Sequence, residues 1–132
     1  MNQLELAIEK AFLSEGSSQE ANKAYLEFIK ANFMIPIHLT SEPDKPEVLF
    51  LTEKNQIFMP VFTNKDYLDT WALDIQNSIQ ILHLSGVNLL QGVGDDVTVC
   101  LNIGTTHYKE FNPSELARMR SIVLKLGLTK TS

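Results

Sequence analysis

Apolar and polar residues alternate at helical spacing from Asn2 to Phe12. Leu4, Ile8, Ala11 and Phe12 share one face there, and Glu5, Glu9 and Lys10 lie largely away from it. Ser14-Glu15-Gly16-Ser17-Ser18 breaks this helix. A second is predicted from about Gln19 to Ala31, with Ala21, Ala24, Tyr25 and Phe28 at core spacing and Ser18 as its cap. An N-terminal helical pair is the expected start of the domain.

Phe33-Met34-Ile35-Pro36-Ile37-His38-Leu39 changes to a strand pattern, and Pro36, which has no ladder donor, predicts an edge or irregular strand. Thr40 to Pro46 is a loop. Val48 to Thr52 and Ile57 to Phe62 flank Glu53-Lys54-Asn55-Gln56, the spacing of a hairpin with a four-residue loop. Thr63 then stands where its hydroxyl caps a helix running to about Leu73, with Asp66 in its first turn and Leu68, Trp71 and Ala72 on its apolar face. Ser78 to Leu84 reads as the next strand, and a β-α-β unit with a parallel neighbour is expected.

A short helix from Ser85 to Gln91 ends at Gly92. Val97 to Leu101 and His107 to Phe111 form a further hairpin through Asn102-Ile103-Gly104-Thr105-Thr106. Asn112-Pro113-Ser114-Glu115 combines an N-cap, a proline at the first helical position and a reciprocal glutamate. The helix it opens buries Leu116, Met119, Val123 and Leu126 and stops at Gly127. These elements predict an α+β single domain over residues 1–132, with helices packed on a mixed sheet of about five or six strands and a C-terminal helix docked on it.

Composition narrows the class. With 132 residues, 44% of them apolar and 20% charged, the chain matches a globular domain and not a disordered one. A net charge of −5 argues against a nucleic-acid binder, whose footprint is basic; Arg118, Arg120, Lys125 and Lys130 read as a solvated bias at a helix C-terminus. Cys100, the single cysteine, lies in an apolar strand and reads as core in a reducing compartment. The N-terminus lacks the pattern of a signal peptide, and no apolar run approaches the roughly 20 residues that cross a bilayer. A soluble, cytoplasmic protein without a membrane partner is expected.

Phe58-Met59-Pro60-Val61-Phe62-Thr63 followed by Trp71, then Leu84-Ser85-Gly86 to Leu89-Leu90, then Leu101-Asn102-Ile103-Gly104 before Phe111, resemble the N-terminal domain of the SseB family of bacterial proteins. The resemblance implies a compact domain of helices and sheet, named after a serine-sensitivity phenotype and without an established reaction or cofactor. Longer members carry a second, C-terminal domain, and this chain is expected to hold the first alone. Ile103 stands where the family usually has proline.

Few residues carry candidate chemistry. Gly92-Val93-Gly94-Asp95-Asp96 follows a helix and bears two carboxylates, so it reads as a turn and not a phosphate loop. His38, His83 and His107 lack metal-ligand spacing, Asp66 and Asp69 suit a helix start, and no nucleophile elbow occurs. No catalytic, cofactor or metal residue is assigned. Asn102, Gly104, Thr105 and Thr106 form a candidate ligand turn whose amides and hydroxyls suit an anion, and Trp71 is a candidate partner contact. The expected function is a non-enzymatic bacterial adaptor or regulatory domain that binds another protein or a second copy of itself. A small-ligand or anion-binding domain is the alternative, and an enzyme whose site assembles only in the fold is the third.

Overall fold

The computed structural model describes residues 3–13, 18–42 and 44–127, apart from a few side chains around the first helix junction. The chain runs α1 (Gln3–Leu13), α2 (Ser18–Lys30), β1 (Asn32–His38), β2 (Leu51–Glu53), β3 (Gln56–Val61), α3 (Lys65–Trp71), β4 (Ile79–Ser85), α4 (Gly86–Gly92), β5 (Val97–Leu101), β6 (Lys109–Phe111) and α5 (Pro113–Lys125), with a short 3-10 turn at Gln76–Ser78. The α+β class and the order of elements agree with the sequence reading. The expected cap at Ser18, the apolar position Phe12 and the basic Lys130 lie outside the described side chains or residues.

The strands form two ladders, β1-β4 and β2-β3-β5-β6. The first is antiparallel; in the second, β3 and β5 run parallel and the outer pairs run antiparallel. Isolated bridges from Met34 to Phe62 and from Ile37 to Val48 join the two. Side chains that alternate along each strand divide the core accordingly. Phe33, Ile35, Met59, Val61, Leu82 and Leu84 belong to the main cluster with α1, α2, α4 and α5. Met34, Phe62, Ile79 and Ile81 pack instead with Leu68, Trp71 and Ala72 of α3. Strand β5 is buried at all five positions: it lies between β3 and β6, and Val97, Val99 and Leu101 face the main cluster.

Several expectations are corrected. Strand β4 pairs with β1, not β3; the parallel neighbour of β3 is β5, reached only after α3, β4 and α4. The strand expected at Val48 to Thr52 is split: Leu49 donates to the Pro36 carbonyl, so this stretch joins β1, and only Leu51–Glu53 pairs with β3. The hairpin loop is correspondingly tighter. Glu53 pairs with Gln56, and Lys54 and Asn55 both adopt positive φ, as a two-residue hairpin turn requires. Pro36 sits on the side of β1 where pairing is interrupted, so its missing N–H disturbs no regular ladder.

Two helical details differ as well. Leu126 is 56% exposed because it caps α5 beyond the last docked turn, whereas Leu116, Met119 and Val123 are buried as expected. Glu5, placed by its periodicity toward solvent, is only 3% exposed. Gly86 explains the tight entry to α4: its N–H donates to the Ala31 carbonyl at 2.8 Å, and a Cβ there would lie 2.1 Å from the Phe28 carbonyl oxygen.

Candidate functional site

The Asn102–Thr106 turn begins where β5 runs out. The Asn102 N–H donates to the Val61 carbonyl, extending the β3-β5 ladder by one bond, and the chain then reverses with Asn102 at φ 56° and Gly104 at φ 84°. Asparagine tolerates the left-handed region, which rationalises its place at a fully buried turn position. The Thr105 N–H and hydroxyl both donate to the Asn102 carbonyl, and the Thr105 hydroxyl oxygen accepts from the His107 N–H at 3.0 Å.

The Asn102 side chain points into the protein. Its Oδ1 accepts from the Thr63 N–H at 3.0 Å, and its Nδ2 donates to the Thr63 hydroxyl at 3.1 Å. That hydroxyl in turn donates to Glu5 Oε1 at 2.7 Å. A polar chain from α1 through the end of β3 to the end of β5 is the result. Thr63 is therefore not the cap of α3: Asn64 accepts from the Tyr67 N–H at 2.9 Å in that role. Both residues are cap formers, and the distant pull of Glu5 and Asn102 on Thr63 decides between them.

Of the candidate turn residues, Asn102 and Thr105 are thus engaged within the fold, while Gly104 and Thr106 face solvent. Trp71 stands elsewhere, half-buried with its ring 5.5 Å from that of Phe62. His107 links the two regions by lying 6.3 Å from the Tyr67 ring on α3. Glu5 is the polar residue that the sequence reading missed; its signal was a carboxylate directly beside the buried Leu4 and one turn before Ile8.

A second polar cluster flanks Cys100, toward the same C-terminal end of β5 and against β6. The Tyr108 hydroxyl donates to Glu110 Oε2 and lies 3.9 Å from Cys100 Sγ. Burial, followed by the Glu110 carboxylate, pushes the Tyr108 phenol up, and burial likewise raises the Cys100 thiol. A thiol held protonated at neutral pH is a packing group and not a nucleophile. Arg120 binds the Leu90 and Val93 carbonyls at the end of α4, with exposed Asp95 at 3.7 Å. Among the described residues, no three His, Cys, Asp or Glu side chains gather to hold a metal ion, and no helix is long and apolar enough to cross a membrane.

The strand edges differ in character. Strand β2 is three residues long, exposed at each position, with Glu53 at its end, and three-residue β6 carries Lys109 and Glu110. Strand β4 has seven residues, pairs on one side only, and carries no Asp, Glu, Lys, Arg or Pro. A shallow groove of about 180 Å³ runs between it and α3, lined by Leu68, Ala72, Ile79 and Ile81 together with Gln76 and the Lys65–Asp69 ion pair.

What these features define is an α+β domain with an internally satisfied polar turn and one long uncharged strand edge. The family model of the SseB protein N-terminal domain matches residues 5–118, and the chain belongs to that family. No curated protein and no solved structure matches it.

Proposed function

We propose that this domain is a non-enzymatic cytoplasmic adaptor or regulatory module that docks another protein chain along the edge of β4. The observation that carries this reading is the edge itself. The ladder to β1 takes up the backbone groups of Gln80, Leu82 and Leu84, the 3-10 turn and α4 engage the ends of the strand at Ile79 and Ser85, and the groups of Ile81 and His83 are directed outward. Long edges are ordinarily blunted by charge, proline or shortness, and β4 has none of these devices. Strand addition at such an edge is a common mode of peptide recognition.

Nucleic acid is a poor partner for a chain of net charge −5. The alternative, an anion held by the Asn102 turn, is less favoured because the Asn102 amide and the Thr105 N–H and hydroxyl already serve the fold. Trp71 lies in the cluster behind the edge and would support a docked chain by packing Ile79 and Ile81.

A photo-crosslinking residue at His83, used in cells of the source organism, tests the reading. Leu124 on α5, 68% exposed, is the control position. Protein crosslinks specific to position 83 are expected; equal labelling from both positions sinks the proposal.

A further inference from the structure

We propose that the groove between α1 and α2 is a second docking surface, and that its occupant is an acidic amphipathic helix of a partner protein. The groove shares no residue with the β4 edge, and the inference goes beyond the role proposed for that strand. It starts from helical periodicity. Leu4 and Ile8 of α1 and Tyr25 and Phe28 of α2 turn to the main cluster. Each helix also carries a leucine off that face, Leu6 and Leu26, and the two meet in a groove of about 190 Å³ with Ala7 beside them. Leu6 is 38% exposed there.

The groove has a charge of its own. Gln3, Leu6, Ala7 and Lys10 follow one stripe of α1, and Lys23, Leu26, Glu27 and Lys30 repeat the same i, i+3, i+4, i+7 spacing on α2. Helices joined by so short a connection run antiparallel, which sets Lys10 and Lys23 at one end of the groove and Lys30 at the other. Among the described lining residues Glu27 is the one carboxylate, and it pairs with Lys30 at 3.8 Å. A cationic groove thus stands on a chain of 16 acidic and 11 basic residues. Its complement is a segment that carries carboxylates around an apolar centre.

The walls decide the form of that segment. Both are helices, whose backbone groups are taken by their own hydrogen bonds. A docked chain finds no backbone partner here and must satisfy its own N–H and C=O groups, which a helix does and an extended peptide does not. A stripe from i to i+7 covers about 10 Å of helix axis. Carboxylates seven residues apart on the occupant therefore reach the lysines at both ends, while apolar side chains between them seat on Leu6 and Leu26. A third helix lying along two others is ordinary bundle packing.

The probe is a lactam-bridged helical peptide with glutamate at i and i+7 and leucine at i+3 and i+4, and the control carries lysine in place of glutamate. The bridge holds a short segment helical. Amide chemical shifts of the full chain through the titration give both affinity and location. The acidic peptide is expected to bind at least tenfold tighter than the basic one, to shift Leu6, Ala7 and Leu26, and to weaken as salt rises. Lys23→Glu combined with Lys30→Glu, both exposed positions, should reverse that preference, and His83→Lys at the β4 edge should leave it unchanged. Leu6→Ser should weaken the acidic peptide about tenfold, and the lysine pair serves if that variant does not fold. Equal affinity for the two peptides, no binding of either, or shifts confined to another surface overturns the proposal. So does tighter binding of phosphatidylglycerol vesicles through the same lysines, which would make the groove a membrane contact. Self-association that the lysine variant abolishes would overturn it as well, by making the occupant a second copy.

Discussion

The Thr63 hydroxyl donates to the Glu5 carboxylate at 2.7 Å although the residues stand 58 positions apart. This contact ties the first helix to the point where β3 becomes α3, and Asn102 closes the same group from the end of β5. Thr63→Val keeps the shape and removes the hydroxyl, depriving the buried Glu5 and Asn102 side chains of a hydrogen-bond partner. The expected loss is about 1–3 kcal/mol. Urea denaturation measures it, and Glu5→Ala in the Thr63→Val background should cost clearly less than in the wild type. Strict additivity would mean that the two groups do not couple.

Capping gives a separable prediction. Asn64→Ala should cost about 1 kcal/mol, because Asn64 and not Thr63 accepts from the first turn of α3. Asn112→Ala should cost a similar amount, since it breaks a reciprocal box with Glu115. If Asn64→Ala leaves the denaturation midpoint unchanged, the cap has been assigned to the wrong side chain.

The contrast between these sites explains how much could be read from the sequence. Asn112, Pro113 and Glu115 act within one turn of helix, so residue order alone announces them. The stripe Leu116, Met119 and Val123 and the β5-β6 hairpin are legible for the same local reason. Thr63 and Asn64 are equivalent by type, and only contacts from residues 5 and 102 tell them apart. Glu5 looked like a solvent position because helical periodicity cannot foresee a polar partner from β3. Val48 and Leu49 looked like part of the hairpin, and their choice of β1 is a long-range competition between two strands. The Asn102 turn was recognisable from its residues, but the inward direction of its amide was not.

Two glycines form a matched pair of tests. Gly86→Ala drives a methyl group to 2.1 Å from the Phe28 carbonyl oxygen and 2.7 Å from that of Ile29, both backbone atoms of the α2 terminus. The junction between α2 and α4 must open, and a loss of about 1–3 kcal/mol or more is expected from such overpacking. Gly92→Ala meets nothing within 4 Å and should be neutral or stabilising by up to about 1 kcal/mol. Thermal unfolding of the two variants should place them on opposite sides of the wild type, and similar melting temperatures would refute the close approach at Gly86.

Alkaline pH should reveal the buried thiol. Burial raises Cys100 above its ordinary value of 9.0, so the folded state holds this proton more tightly than the unfolded chain. The corresponding stability is fully present below the unfolded value and is lost as pH rises through the folded one. Tyr25 and Tyr108 are raised from 10.0, chiefly by burial, and act in the same direction at somewhat higher pH. Denaturation curves recorded at neutral pH and at stepwise higher pH should therefore show the wild type weakening from about pH 9 upward. Cys100→Val, which keeps the apolar volume and removes the proton, should weaken less over the first part of that range. A thiol reagent at neutral pH should modify Cys100 only as fast as the protein opens. Rapid labelling of the folded protein, or an identical alkaline decline in both chains, would place the thiol in contact with solvent.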